Sequence, residues 1–199
     1  MFTGRLANLE QNLKKLPGIG SKSAQRLAMF IISMDKQSAK EIGLSIMEAI
    51  EHYQNCKICN MLSETQVCDF CADPKRDDSQ LCIVESSQDV YLIDSTNEYH
   101  GRFFVLNNLL SPLDGIGPKE IHFFSLKKLI EEKQIQEIIL ALNPSIEGES
   151  TMHFLATHLR NLVPGITRLA TGLPFGGDIE YTSKPTLLNA FKRRYQVKD

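Results

Sequence analysis

The chain has 199 residues, 42% hydrophobic and 23% charged, a balance ordinary for a folded globular protein that excludes disorder and a fibrous class. No run approaches the roughly 18 to 20 apolar residues that span a bilayer, and the first segment lacks a signal peptide's apolar block, so the expected address is the cytoplasm. The formal net charge of -2 hides a segregation: residues 1–30 carry Arg5, Lys14, Lys15, Lys22 and Arg26 against Glu10 alone, whereas Glu131, Glu132, Glu137, Glu147 and Glu149 make a later stretch acidic.

Leu6, Leu9, Leu13 and Leu16 recur at helical spacing, and the stripe stops at Pro17-Gly18-Ile19-Gly20. A second helix is predicted from Ser21, with Ala24, Leu27, Ala28 and Ile31 on one face, and a third from Ile42, Ile46, Met47, Ala49 and Ile50. The turn between the first two suits a phosphate. Gly18 and Gly20 let backbone approach an anion, the following helix start offers free N–H groups, and Lys22 and Arg26 lie one turn apart on one face. These four residues are a candidate phosphate contact, which on a nucleic acid would be blind to base sequence. The alternative is a C-cap glycine followed by a solvated charged face, and composition alone leaves both open.

Cys56-Lys57-Ile58-Cys59 and Cys68-Asp69-Phe70-Cys71 are two C-x2-C pairs, spaced to present four thiolates to one tetrahedral ion. Five cysteines in a reducing compartment argue for metal over disulfides. Four unrelated buried thiols and a redox C-x-x-C are the weaker alternatives, since the latter opens a helix in a thioredoxin-like setting and does not come doubled. With all four positions filled by sulfur, a Zn²⁺ here has a structural role, one ion per chain. Cys82, inside an apolar run, reads as a core residue.

Beyond the cysteines the pattern changes. Short apolar runs at 81–84, 103–106, 138–142 and 166–170 read as buried strands, with helical patterns at 125–132 and 150–162 between them and Gly- and Pro-rich loops at 110–118 and 172–178. This alternation predicts a mostly parallel α/β sheet. Glu85 ends one strand while Glu147 and Glu149 follow another, so a strand-end crevice can gather three carboxylates, a candidate Mg²⁺ site. Glu149 can equally serve as a capping carboxylate.

The segment Leu16-Pro17-Gly18-Ile19-Gly20 with Lys22, Ser23, Ala24 and Arg26 resembles the helix-hairpin-helix of the RecR family of bacterial recombination mediators. The resemblance continues in order through the four cysteines, Ile83-Val84-Glu85, Leu110-Ser111-Pro112-Leu113-Asp114-Gly115-Ile116-Gly117-Pro118, Asn143-Pro144-Ser145-Ile146-Glu147-Gly148-Glu149 and Gly172-Leu173-Pro174-Phe175-Gly176-Gly177. It covers nearly the whole chain. Ser21 stands where the family usually has proline, Leu142 where it has a small polar residue and Phe175 where it has valine.

The resemblance implies a helical domain at 1–54, a zinc finger at 55–72, a Toprim-like α/β domain at 79–175 and a C-terminal segment at 176–199 with a short helix near 186–194. That helix can dock a neighbouring subunit or pack on its own domain. It also implies a ring-shaped homotetramer, or a dimer, built by exchange of terminal elements. Function follows as a cytoplasmic, nucleoid-associated DNA-binding accessory, not an enzyme, that works with RecO and RecF to load recombinase at gapped or single-stranded DNA. The acidic surface of Glu85, Glu147 and Glu149 is implied to dock RecO. Because Toprim domains of topoisomerases and primases hold catalytic Mg²⁺, the alternative is a Mg²⁺-dependent primase or nuclease with an attached zinc module. The usual Asp-x-Asp of such enzymes is here Glu147-Gly148-Glu149, placed in an Asn-Pro loop, and neither a nucleophilic tyrosine motif nor a Walker loop accompanies it.

Overall fold

The leucine stripe of the first segment folds into α1 (Gly4–Leu13), which packs against α2 (Ser21–Ser33). In α2 the buried positions are Ala24 and Ala28, side chains small enough to let two helix backbones approach closely. The structure, a computed structural model, describes residues 2–196. Met1 and residues 197–199, the start of the expected helical domain and the end of the expected C-terminal segment, lie outside it. The chain forms two compact units, one running through Tyr53 and the other beginning at Gln54.

In the first unit α3 (Lys36–His52) starts where the Asp35 carboxylate accepts the Ser38 N–H at 2.8 Å. The three helices fall where periodicity places them, but their apolar faces are not all covered. Leu27, Ile42, Ile46 and Met47 are exposed, and Ile50 is 74% exposed. Helix α3 buries none of its residues, so its apolar positions gain no full cover from α1 and α2.

The second unit opens with a two-stranded antiparallel hairpin, β1 (Gln54–Asn55) and β2 (Leu62–Ser63), and the short α4 (Asp69–Ala72). The main sheet follows. Strands β3 (Asp77–Val84), β4 (Gly101–Val105), β5 (Glu137–Ala141) and β6 (Gly165–Arg168) are all parallel, in the order β4-β3-β5-β6. Between them run α5 (Ser87–Asp94), α6 (Phe123–Lys133) and α7 (Ile146–Leu159), with α8 (Lys184–Lys192) after the last strand.

The central strand β3 shows why its run is apolar throughout. Leu81 and Ile83 join a cluster with Leu126 and Ile130 of α6 and Leu155 and Leu159 of α7, while Cys82 and Val84 join another with Val90 of α5, Phe103, Val105 and the cysteine segment. Both faces of a parallel sheet are thereby covered. Helix α5 carries too short an apolar pattern to be read from periodicity; Ser86 and Asp89 define it instead through a reciprocal capping box.

Helix α7 begins earlier than the sequence pattern suggests. Glu147 and Glu149 lie in its first turn and not in the preceding loop, because the Ser145 side chain accepts the Gly148 N–H at 3.0 Å and starts the helix there. Gly148 must be glycine, since a Cβ would collide with the Asn143 carbonyl oxygen. Helix α8 buries none of its residues, leaving Leu188 and Phe191 exposed.

Candidate functional site

The four cysteines converge. Their sulfur atoms all lie within 4.8 Å of one another, with Cys56, Cys59 and Cys68 buried and Cys71 half-buried. A tetrahedral ion with metal–sulfur bonds of about 2.3 Å needs sulfurs roughly 3.8 Å apart, and Cys59 and Cys68 are 3.4 Å apart. Each pair sits on a tight turn that aims its thiols inward: Asn60 N–H donates to the Cys56 carbonyl at 2.9 Å, and Cys71 N–H to the Cys68 carbonyl at 3.0 Å. Cys68 N–H also points at the Cys56 sulfur, 3.3 Å away.

Hydrogen bonds from Cys59 and then Cys71 hold the Cys68 thiol well down, whereas hydrogen bonds with Cys68 and then Cys71, together with burial, push Cys59 well up. Four sulfurs converging at this separation fit a metal ion, whose charge would hold the thiolates together. Among the described residues this is the one group of three or more Cys, His, Asp or Glu ligand atoms gathered so closely. Cys82 stands apart in the core, and burial alone pushes its thiol up to about 12.

The knuckle is joined to the sheet and does not hang from it. Val105 N–H donates to the Cys59 carbonyl at 2.8 Å, Asn60 Nδ2 to the Val105 carbonyl at 2.8 Å, and the Arg102 guanidinium to the Phe70 and Cys71 carbonyls at 2.8 and 3.1 Å. Arg76 adds a second clamp, pairing with Asp94 while its guanidinium lies 4.7 Å from the Phe70 ring centre.

In the first unit the Pro17–Gly20 turn has Gly18 at φ +77°, a left-handed conformation that favours glycine. Gly20 is the N-cap of α2, no side chain caps that helix, and a Cβ at Gly18 or Gly20 would meet nothing within 4 Å. The approach to the helix N-terminus is open. Lys22 and Arg26 are both exposed on α2, whereas Lys14 is engaged by Glu10 at 2.7 Å.

The carboxylates part company. Glu85 accepts Asn143 Nδ2 at 3.2 Å, and Glu149 is held by both terminal nitrogens of Arg168 at 2.9 and 2.7 Å, which keeps its carboxyl below the ordinary range. Ser145 is the cap of α7, so Glu149 does not serve as the capping group. Its partner Arg168 was missed because nothing local marks it: Arg168 closes β6, whose register with β5 sets it opposite Leu140. Of the three candidates, Glu147 and Glu85 are the carboxylates with no cation paired to them among the described residues.

Two families match this arrangement: the Toprim domain over residues 79–170, and RecR, helix-hairpin-helix, over residues 6–50. A helical hairpin, a four-cysteine knuckle and a Toprim sheet in that order define a class of recombination proteins. The chain is 41% identical over 198 residues to Recombination protein RecR of Francisella philomiragia subsp. philomiragia, covering 100% of this chain and 98% of that relative. It is 39% identical over 197 residues to Recombination protein RecR of Francisella tularensis subsp. novicida, covering 99% and 98%. The chain belongs to the RecR family. Its relatives are named for recombination. Among the described residues no helix is long and apolar enough to cross a membrane.

Proposed function

We propose that this chain is a DNA-binding recombination mediator that works with RecO and RecF to load recombinase at gapped or single-stranded DNA, in the cytoplasm at the nucleoid. The observation that carries it is the open glycine turn: an uncapped helix N-terminus at Gly20 with Lys22 and Arg26 exposed one turn apart. Backbone N–H groups and two cations in that geometry suit phosphate oxygens on any sequence. A single hairpin neutralises few phosphates, so repetition is needed for useful affinity. The exposed apolar residues of α3 and α8, among them Ile46, Ile50, Leu188 and Phe191, support assembly of several copies into a homotetramer or dimer.

The domain bounds are 1–54, 55–72, 79–175 and 176–199. Cys56, Cys59, Cys68 and Cys71 hold one structural Zn²⁺, whose preference for four thiolates matches the donor set. Glu85, Glu147 and Glu149 belong to the surface that docks RecO. The testing experiment is recombinase loading onto gapped DNA coated by single-strand-binding protein, with RecO and RecF present. Adding this protein is expected to speed loading, and Lys22→Ala/Arg26→Ala to abolish that acceleration; equal loading without the protein would reject the role.

A further inference from the structure

The loop at 110–118 has no part in the sites described so far, yet it is wired to both elements that carry the free carboxylates. Three residues before it, Asn107 N–H donates to the Glu85 carbonyl at 2.8 Å. Leu110 N–H donates to Thr151 Oγ1 at 2.8 Å, and that hydroxyl donates to the Glu147 carbonyl at 2.7 Å. Thr151 is fully buried, so the junction is fixed. Beyond it Ser111 and Ile116 exchange two backbone hydrogen bonds at 3.1 and 2.9 Å, Pro112 opens a single 3-10 turn, and left-handed Gly115 closes it. Leu110 and Ile116 pack against the core at the two feet.

This rigid hairpin holds Leu113 in water at 100% exposure. Ile146, beside Glu147 at the start of α7, is 82% exposed. A loose turn folds such a leucine against the nearest apolar surface, whereas a turn pinned at both feet cannot. The fold draws no stability from either side chain where it stands.

We propose that Leu113, with Ile146, is the apolar anchor of the acidic docking surface, received by a partner protein whose apolar socket is bordered by basic side chains. The proposal rests on the docking role given above to Glu85 and Glu147. Charge selects the occupant: Glu85, Asp114 and Glu147 have no paired cation among the described residues, while Glu149 is neutralised by Arg168. A nucleic acid is repelled by such a rim, and so is a second copy presenting the same face. In this arrangement the carboxylates steer the encounter and the leucine holds the complex, the usual division between a charged rim and a desolvated centre.

The test measures binding of purified RecO, the docking partner proposed above, to the full chain over a range of salt, for wild type, Leu113→Ser, Leu113→Met and Glu147→Gln. Leu113→Ser is expected to weaken binding about tenfold, mainly through faster dissociation, with the salt dependence unchanged. Leu113→Met should restore binding to within about twofold. Glu147→Gln should flatten the salt dependence. Melting temperature is the folding control, since Leu113 packs on nothing. If Leu113→Ser binds like wild type while Glu147→Gln weakens, the anchor is refuted and the docking role stands. If both bind like wild type, the docking role itself fails. A change of solution mass or of DNA affinity in Leu113→Ser, with RecO binding intact, would assign the hairpin to another copy or to DNA and overturn the proposal.

Discussion

Val105 and Cys59 are joined by a 2.8 Å hydrogen bond from the strand N–H to the knuckle carbonyl, and Asn60 returns a bond to the Val105 carbonyl. Since β4 is an edge of the four-stranded sheet, the first cysteine pair closes the end of an otherwise open edge. The second pair holds the same strand through Arg102, which reaches the Phe70 and Cys71 carbonyls.

Metal removal is therefore expected to act on the sheet as well as on the knuckle. Purified protein should carry about one zinc per chain by elemental analysis. Chelation or Cys68→Ala should lower the melting temperature by about 10 °C or more, the shift that loss of several kcal/mol produces in a domain of this size. Hydrogen exchange at Val105 should accelerate before that of Ile83 at the sheet centre, and the bared edge should promote aggregation. Protection at Val105 that survives complete metal loss would show that the knuckle is held by packing alone.

Lys22→Ala/Arg26→Ala should leave melting unchanged, because both side chains are exposed and α2 buries Ala24 and Ala28 instead. Every phosphate that the variant no longer neutralises should reduce the slope of log affinity against log salt by about 0.9 on duplex DNA, multiplied by the number of hairpins engaged. The weakening should match on two unrelated duplexes. An unaltered slope in the folded double mutant would move the DNA site elsewhere, with Lys192, Arg193 and Arg194 the first place to look.

Glu147 and Glu149 should respond differently to charge reversal. Glu147→Lys should weaken RecO binding and leave stability alone, whereas Glu149→Lys should lower both, since it strands Arg168. The Arg168 hydrogen bonds hold the Glu149 carboxyl below its ordinary value of 4.5, so their stabilisation is present above that pH and disappears as pH falls through the lower folded value. The pair is half exposed, which limits its worth to about 1 kcal/mol or less. Urea denaturation of wild type and Glu149→Gln should show that small difference at pH 7 and none in strong acid.

Gly148→Ala separates sterics from helix propensity. Propensity alone favours alanine in a helix by about 1 kcal/mol. The new Cβ would instead meet the Asn143 carbonyl oxygen, a backbone atom that cannot swing aside. Destabilisation by about 2 kcal/mol or more is expected, with disturbance of the turn that carries Glu147. A stabilised variant would mean that the Asn143–Ser145 turn relaxes freely.

What the sequence determined by itself is local. Proline and glycine punctuation marks the turn at 17–20, the doubled C-x2-C marks a metal knuckle, and apolar runs alternating with helical spacing mark a parallel sheet, because each signal is written within a few residues by backbone geometry or ligand reach. Helix α5 and the true start of α7 escaped periodicity, since capping by Ser86 and Ser145 defines them and apolar spacing does not. Only the tertiary structure decided which distant residues meet. Cys59 reaches Val105 because β4 lies at the sheet edge, and Glu149 reaches Arg168 because β6 pairs beside β5 in one particular register. Strand order and register are set by how the two apolar clusters close over the faces of the sheet, a property of the whole packed unit that no window of sequence carries.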